Sequence, residues 1–150
     1  MGIQRILVPV DYSDSSLAAL SFARDLADGF GAKLDIVHVW DRPTYVSDAV
    51  LIGHGDSQRP IGELIRENAE KDMLEFLAKA NLPSALANQH RLVSGDPASA
   101  LLKEIEREKY DLVVVGTHGR TGFAHMLLGS VAEKLVRHSP VPILTVPKRS

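Results

Sequence analysis

Glycines at 116, 119, 122 and 129, followed directly by Ser130, are the residues of this chain whose types and spacing best suit chemistry. Without a Cβ, a glycine lets backbone N–H groups approach an anion closely. A helix beginning near Gly129 and Ser130 would aim its unpaired N–H groups and the positive end of its dipole at a phosphate, and the Ser130 hydroxyl would add a donor. A single Gly-x-x-Gly reads as a turn; the whole constellation beside a helix start reads as an anion cradle. Two other phosphate loops are excluded, because no Gly-Lys-Ser/Thr occurs and the turn from Pro9 to Ser13 holds no glycine. The chain has neither a P-loop nor a dinucleotide fingerprint.

Other side chains are weighed against this cradle. Asp11 has two readings, an acid facing a ligand or a helix-capping acid before Ser13 and Asp14, and its place at a strand end favours the first. Arg120 reads equally as a phosphate clamp and as a solvated loop residue. His118 is the one candidate for proton transfer near a phosphate. His118 and His125 have no carboxylate at ligand spacing between them, so protein side chains offer no metal site. Cysteine is absent, which excludes disulfides, thiolate zinc sites and a cysteine nucleophile together.

The elements that must position these residues alternate between strand and helix periods. Ile6 to Val8, continuing through Pro9 and Val10 to Asp11, makes a first strand; Leu17, Leu20, Ala23 and Ala27 mark a helix ended by Gly29 and Gly31. A second strand runs from Leu34 to Val39. Ile61, Ile65, Ala69, Met73 and Leu77 recur every four residues, which predicts a helix with that stripe on the sheet. A third strand lies near Leu86 to Val93. Asp96 and Pro97 then open a third helix as N-cap and first residue. Leu112 to Val115 form a fourth strand, Val131, Leu135 and Val136 lie on a fourth helix, and Ile143 to Val146 form a fifth strand. From Asp41 to about Pro60 no period emerges, and a connection of that length reads as a lid or a disordered segment.

This alternation predicts an α/β fold, one doubly wound domain over residues 1–150 with a five-stranded parallel sheet and helices on both faces. Strand three carries Asn88, Gln89, His90 and Arg91, and strand five has Pro142 near its start, so both belong at edges. The order is then 3-2-1-4-5, with its reversal between strands one and four. Ligands in such sheets bind at the carboxyl ends of the strands flanking the reversal, here Asp11 and Gly116.

The spacing Gly116-x2-Gly119-x9-Gly129-Ser130 resembles the ATP-binding signature of the universal stress protein family. The likeness extends to Val8 through Asp11, to His38 and Val39, to Gly129 through Glu133, and to Ser139 through Pro142, and so covers nearly the whole chain. It implies an adenine nucleotide alpha hydrolase-like fold with ATP lying across strands one and four. It also implies that Val39 contacts adenine through its backbone, that Pro9, Val10 and Asp11 line base and ribose, and that Gly116 lies near the ribose. Gly119, Gly129, Ser130 and Val131 would hold the phosphates, with Mg2+ carried on the nucleotide. Trp40 and Tyr45 are candidates to cover adenine, although packing of Trp40 at the sheet end is the favoured account. A homodimer through strand Val141 to Val146 is implied by the resemblance and independently by the open edge of that strand.

Composition narrows the partners. Seventeen Lys and Arg against nineteen Asp and Glu leave a net charge of −2 with no block of one sign, so nucleic acid and anionic membranes are not expected partners. No apolar run approaches the roughly 20 residues of a membrane span, and no signal peptide precedes the first strand, which points to the cytoplasm. A nucleotide-sensing regulatory protein of the stress response, acting on a signalling protein, is the leading functional expectation. A slow ATP hydrolase or nucleotidyl-transfer enzyme is the alternative, although no committed base can be named for it. A receiver-like switch using Asp11, Asp96, Thr117 and Lys148 lacks the adjacent second acid and leaves the glycines unexplained.

Overall fold

The computed structural model describes residues 2–40, 47, 49–83, 85, 87–118 and 128–148. Five parallel strands form one sheet: β1 (Arg5–Pro9), β2 (Lys33–Trp40), β5 (Ala87–Ser94), β6 (Leu112–Gly116) and β7 (Ile143–Val146). Their order is β5-β2-β1-β6-β7. This is the expected 3-2-1-4-5 arrangement, renumbered because a small hairpin, β3 (Leu51–Ile52) with β4 (Arg59–Pro60), lies between β2 and the second helix. The hairpin corrects the reading of 41–60 as one irregular connection. Two-residue strands are too short to print a period on the sequence.

Helices α1 (Asp14–Phe30) and α2 (Ile61–Ala80) pack on one face, α3 (Pro97–Arg107) and α4 (Ser130–His138) on the other. β1 shows why it is central: Ile6 and Val8 enter the first core and Leu7 the second, all fully buried. Each such side chain contributes about 1.5–3 kcal/mol by leaving water. α1 presents Ala19, Ala23 and Ala27 with Leu20 to the sheet, and these small residues let the helix sit close. It passes through Gly29 and ends at Phe30, where Gly31 takes the left-handed conformation (φ 67°) that suits glycine. On α2 only Met73 of the expected stripe is fully buried, with Phe76 and Ala80 taking over below it. A four-residue repeat outruns a 3.6-residue turn, so the buried line moves across the stripe.

The fifth strand runs from Ile143 to Val146 as expected, so Val141 and Pro142 of the segment expected to pair in a dimer lie before it. The Val141 N–H is taken by the Ser139 hydroxyl at 3.1 Å, and Pro142 has no N–H to give. The Pro142 carbonyl does accept from Val113 at 3.0 Å, which aligns β7 with β6.

The amino-terminal end of the sheet is closed by a polar network. Asp35, 1% exposed on β2, accepts hydrogen bonds from Arg5 (2.5 Å), the Tyr110 hydroxyl (2.9 Å) and Gln89 (3.2 Å). Arg91 donates to the Tyr110 hydroxyl at 3.2 Å and pairs with the buried Glu104 of α3 at 2.8 Å. Burial, then the bond to Asp35, pushes the Tyr110 phenol well above its ordinary value. The Asp111 carboxylate accepts the backbone N–H groups of Gln4 and Arg5, which hold it below the usual carboxylate range.

Candidate functional site

At the carboxyl-terminal end the same sheet opens. Neighbouring strands β1 and β6 send their chains to opposite faces, and a crevice of about 530 Å³ lies over their ends. That volume falls in the range of small-molecule sites. Pro9, Val10 and Asp11 enter it from β1, Val39 from β2, Gly116 from β6, and Gly129, Ser130 and Val131 from the start of α4. The fold thus brings together eight of the ten site residues expected from sequence. Gly119 and Arg120, with Tyr45 and His125, lie outside the described residues.

Two helix starts at this rim are sealed by their own side chains. Ser13 caps α1 by accepting from the Ser16 N–H at 3.1 Å, and Asp96 caps α3 by accepting from Ser99 at 3.0 Å. Donation from Ser99 holds the Asp96 carboxyl below its usual range. Asp96 is therefore the cap its sequence context indicated and no phosphoacceptor. α4 differs: its N-cap is Gly129, and no side chain among the described residues caps it. The first intrahelical bond runs from Glu133 to the Gly129 carbonyl, so the N–H groups of Ser130, Val131 and Ala132 have no acceptor within the helix. All three residues line the crevice. An anion there would meet donors that the helix leaves without an acceptor, and the positive end of the dipole.

Asp11 does not cap α1. Its Oδ1 accepts the Ser13 N–H at 3.0 Å, a local turn that fixes the carboxylate at the crevice wall. Gly116 is required by a close approach. A Cβ there would fall 2.6 Å from the Ser15 hydroxyl and 2.7 Å from the Ser15 carbonyl carbon and oxygen, closer than real side chains come. The Ser15 hydroxyl in turn accepts the His118 N–H at 3.2 Å. Thr117 is pinned at both ends: its N–H donates to Val146 at 3.1 Å and its carbonyl accepts from Gly129 at 2.5 Å. The Thr117 hydroxyl and His118 Nδ1 share a hydrogen bond of 2.8 Å.

Sequence reasoning missed several lining residues. Pro97 and Leu101 come from α3, which starts at the same rim because it follows a parallel strand. That rule was the available signal. His38 also lines the crevice; its Nδ1 donates to the Val10 carbonyl at 2.7 Å, since a carbonyl can only accept. Trp40, named from the sequence as a candidate to cover adenine, also lines the crevice.

A doubly wound five-stranded sheet with an uncapped helix start across its reversal defines the class. Within it, the universal stress protein family matches residues 2–147, and the chain belongs to that family. A universal stress protein of Methanocaldococcus jannaschii is 33% identical over 145 residues, covering 97% of this chain and 82% of its own. A universal stress protein solved in complex with cAMP shares 28% identity at a TM-score of 0.69, over 99% of this chain and all of its own. A family member from Arabidopsis thaliana, solved with AMP bound, shares the fold at a TM-score of 0.62 with 18% identity, over 98% of this chain and 93% of its own. Among the described residues no helix is long and apolar enough to cross a membrane, and no group of three or more His, Cys, Asp or Glu could hold a metal ion.

Proposed function

We propose that this chain is a nucleotide-sensing regulatory protein of the stress response that takes ATP, with Mg2+ on its phosphates, in the crevice over β1 and β6. The observation that carries the reading is the uncapped start of α4 in the same crevice as the Asp11 carboxylate and an apolar wall. Val10 and the backbone of Val39 suit a purine base, and Asp11 suits the ribose hydroxyls beside Gly116. Gly129, Ser130 and Val131 suit the phosphates, with Gly119 and Arg120 completing the cradle by family resemblance. The cAMP complex of a relative 28% identical supports an adenine nucleotide.

Isothermal titration with magnesium ATP, AMP, cAMP and GTP tests the reading. Saturable ATP binding with no GTP binding is expected. Binding of cAMP without ATP would change the ligand, and no binding of any would end the proposal. Turnover of bound ATP should fall below the roughly 1 per second of slow typical enzymes, because no P-loop lysine meets the developing charge. The second reading, a slow hydrolase or nucleotidyl-transfer enzyme, has the Thr117 to His118 hydrogen bond beside the crevice in its favour. Rapid single-turnover cleavage that His118→Ala removes would establish it.

The sensor is proposed to act in the cytoplasm on a signalling protein, as a homodimer paired through β7. Among the described residues that strand ends the sheet with one side unpaired, and open edges invite pairing. Sedimentation equilibrium should show a dimer that Ile143→Pro with Thr145→Pro converts to monomer. A folded variant that stays dimeric would place the interface elsewhere.

A further inference from the structure

Among the described non-glycine residues only Tyr12 (φ 66°) and Asn81 (φ 49°) adopt positive φ. Asn81 follows the last turn of α2, a place where asparagine commonly does so. Tyr12 has no such reason. It stands between Asp11 and Ser13, at the joint where β1 gives way to α1, and a bulky side chain in this region is strained. Something must hold it there.

The contacts that do so come from β2 and from α2. The Tyr12 ring stacks on His38 with centroids 4.2 Å apart and planes 29° from parallel, and it meets the buried Phe76 of α2 at 5.4 Å. His38 is itself fixed by its bond to the Val10 carbonyl, so the contacts close a loop from β1 through Tyr12 to β2 and back. Tyr12 does not line the crevice; Asp11 and His38 do. The turn made at Tyr12 is the turn that brings the Ser13 N–H onto the Asp11 carboxylate and places Ser13 as the cap of α1.

We propose that Tyr12 is a positioning residue for the crevice, held left-handed by its stack on His38 and its tilted contact with Phe76 so that Asp11 faces the ligand and Ser13 caps α1. The proposal deepens the nucleotide reading above and rests on it for the identity of the ligand. It also explains why α2 bears on a site to which it contributes no lining residue. Phe76 supports the stack from behind, and the stack supports the strand end.

Three variants separate positioning from simple packing: Tyr12→Phe, Tyr12→Gly and Tyr12→Ala, each checked for folding by circular dichroism and titrated with magnesium ATP. Tyr12→Phe keeps the stack and should bind within about twofold of the parent, whereas Tyr12→Ala should bind about tenfold more weakly, near 1.4 kcal/mol. Glycine adopts positive φ without a steric penalty, so Tyr12→Gly should bind at least about threefold more tightly than Tyr12→Ala although it has lost more side chain. Parent-like binding by Tyr12→Ala, or Tyr12→Gly no better than Tyr12→Ala, would overturn the proposal. A ligand-free measurement keeps the two readings distinct. In ¹⁵N-labelled protein moved into D2O the Ser13 amide resonance, protected by its bond to the Asp11 carboxylate, should show a slowed exchange response in the parent, Tyr12→Phe and Tyr12→Gly, and a fast one in Tyr12→Ala. If the parent takes no nucleotide, the proposed function falls and this resonance alone decides the role of Tyr12. An unchanged response in Tyr12→Ala would overturn it.

Discussion

At the amino-terminal end of the sheet, Asp35 receives three side-chain hydrogen bonds, one of them from its ion-pair partner Arg5, and water is excluded from it. At the carboxyl-terminal end, about 20 Å away for six residues of strand, three N–H groups of α4 meet no acceptor in their own helix and a tyrosine sits in a strained conformation. The same five strands carry both ends. Polar groups paired with one another bind the layers together, even with Arg5 Nε and Arg91 Nε left without an acceptor among the described residues, while polar groups left for a partner make a site and cost stability until it arrives. The difference is therefore one of stability set against binding, and substitutions at the two ends should separate these readouts.

The largest effect is expected from Asp35→Ala. It leaves the Tyr110 hydroxyl with Arg91 but no acceptor, and leaves Arg5 only the more distant Glu108 at 3.4 Å, so urea unfolding should show a loss of about 3 kcal/mol, at the lower end for a broken buried pair because Arg5 is partly exposed and keeps that second acid. Nucleotide affinity per folded molecule should stay unchanged. A fall in affinity as large as the fall in stability would mean that the two ends are coupled and the contrast false. Gly129→Glu is the reverse experiment. A carboxylate at the mouth of α4 repels phosphate, and ATP affinity should fall at least about a hundredfold, near 2.7 kcal/mol. The midpoint of unfolding should hardly move, and unchanged affinity in a folded variant would remove the phosphate site from α4.

The smallest effect concerns pH. The Tyr110 phenol is raised in the folded state, so folding favours its protonated form. That contribution is complete below the unfolded value of about 10 and is lost as the pH climbs toward the folded value. Unfolding free energy should therefore decline above about pH 10, and Tyr110→Phe should flatten the decline. A variant with the parent's alkaline slope would place the titration on another group. Asp111 acts with the opposite sign: its carboxyl is lowered in the fold, so its contribution is present above the unfolded value and lost as the pH falls.

The two ends were also unequally legible in the sequence. The open end could be read because its parts are local signals: glycine, a helix start, and a strand ending in Asp11. The rule that places ligands at a sheet reversal then joined them across distance. Strand order was legible because Gln89, His90 and Arg91 and Pro142 suit edges. The closed end left no such trace. Asp35 lies 30, 75 and 54 residues from Arg5, Tyr110 and Gln89, and nothing local in Leu34 to Val37 names those partners. Tyr12 was hidden for another reason. Its conformation follows from contacts with His38 and Phe76, and its residue type argues against the turn it makes. The β3 and β4 hairpin was too short to register as a pattern.

The bond between Gly129 and the Thr117 carbonyl makes a strand end and a helix start move as one. Thr117 is tied to Val146 at the end of β7, and the Gly129 carbonyl takes the first intrahelical bond of α4, from Glu133. A slip of β7 along β6 would therefore carry the N–H groups of Ser130, Val131 and Ala132 with it, so the register of the edge strand and the mouth of α4 are set together.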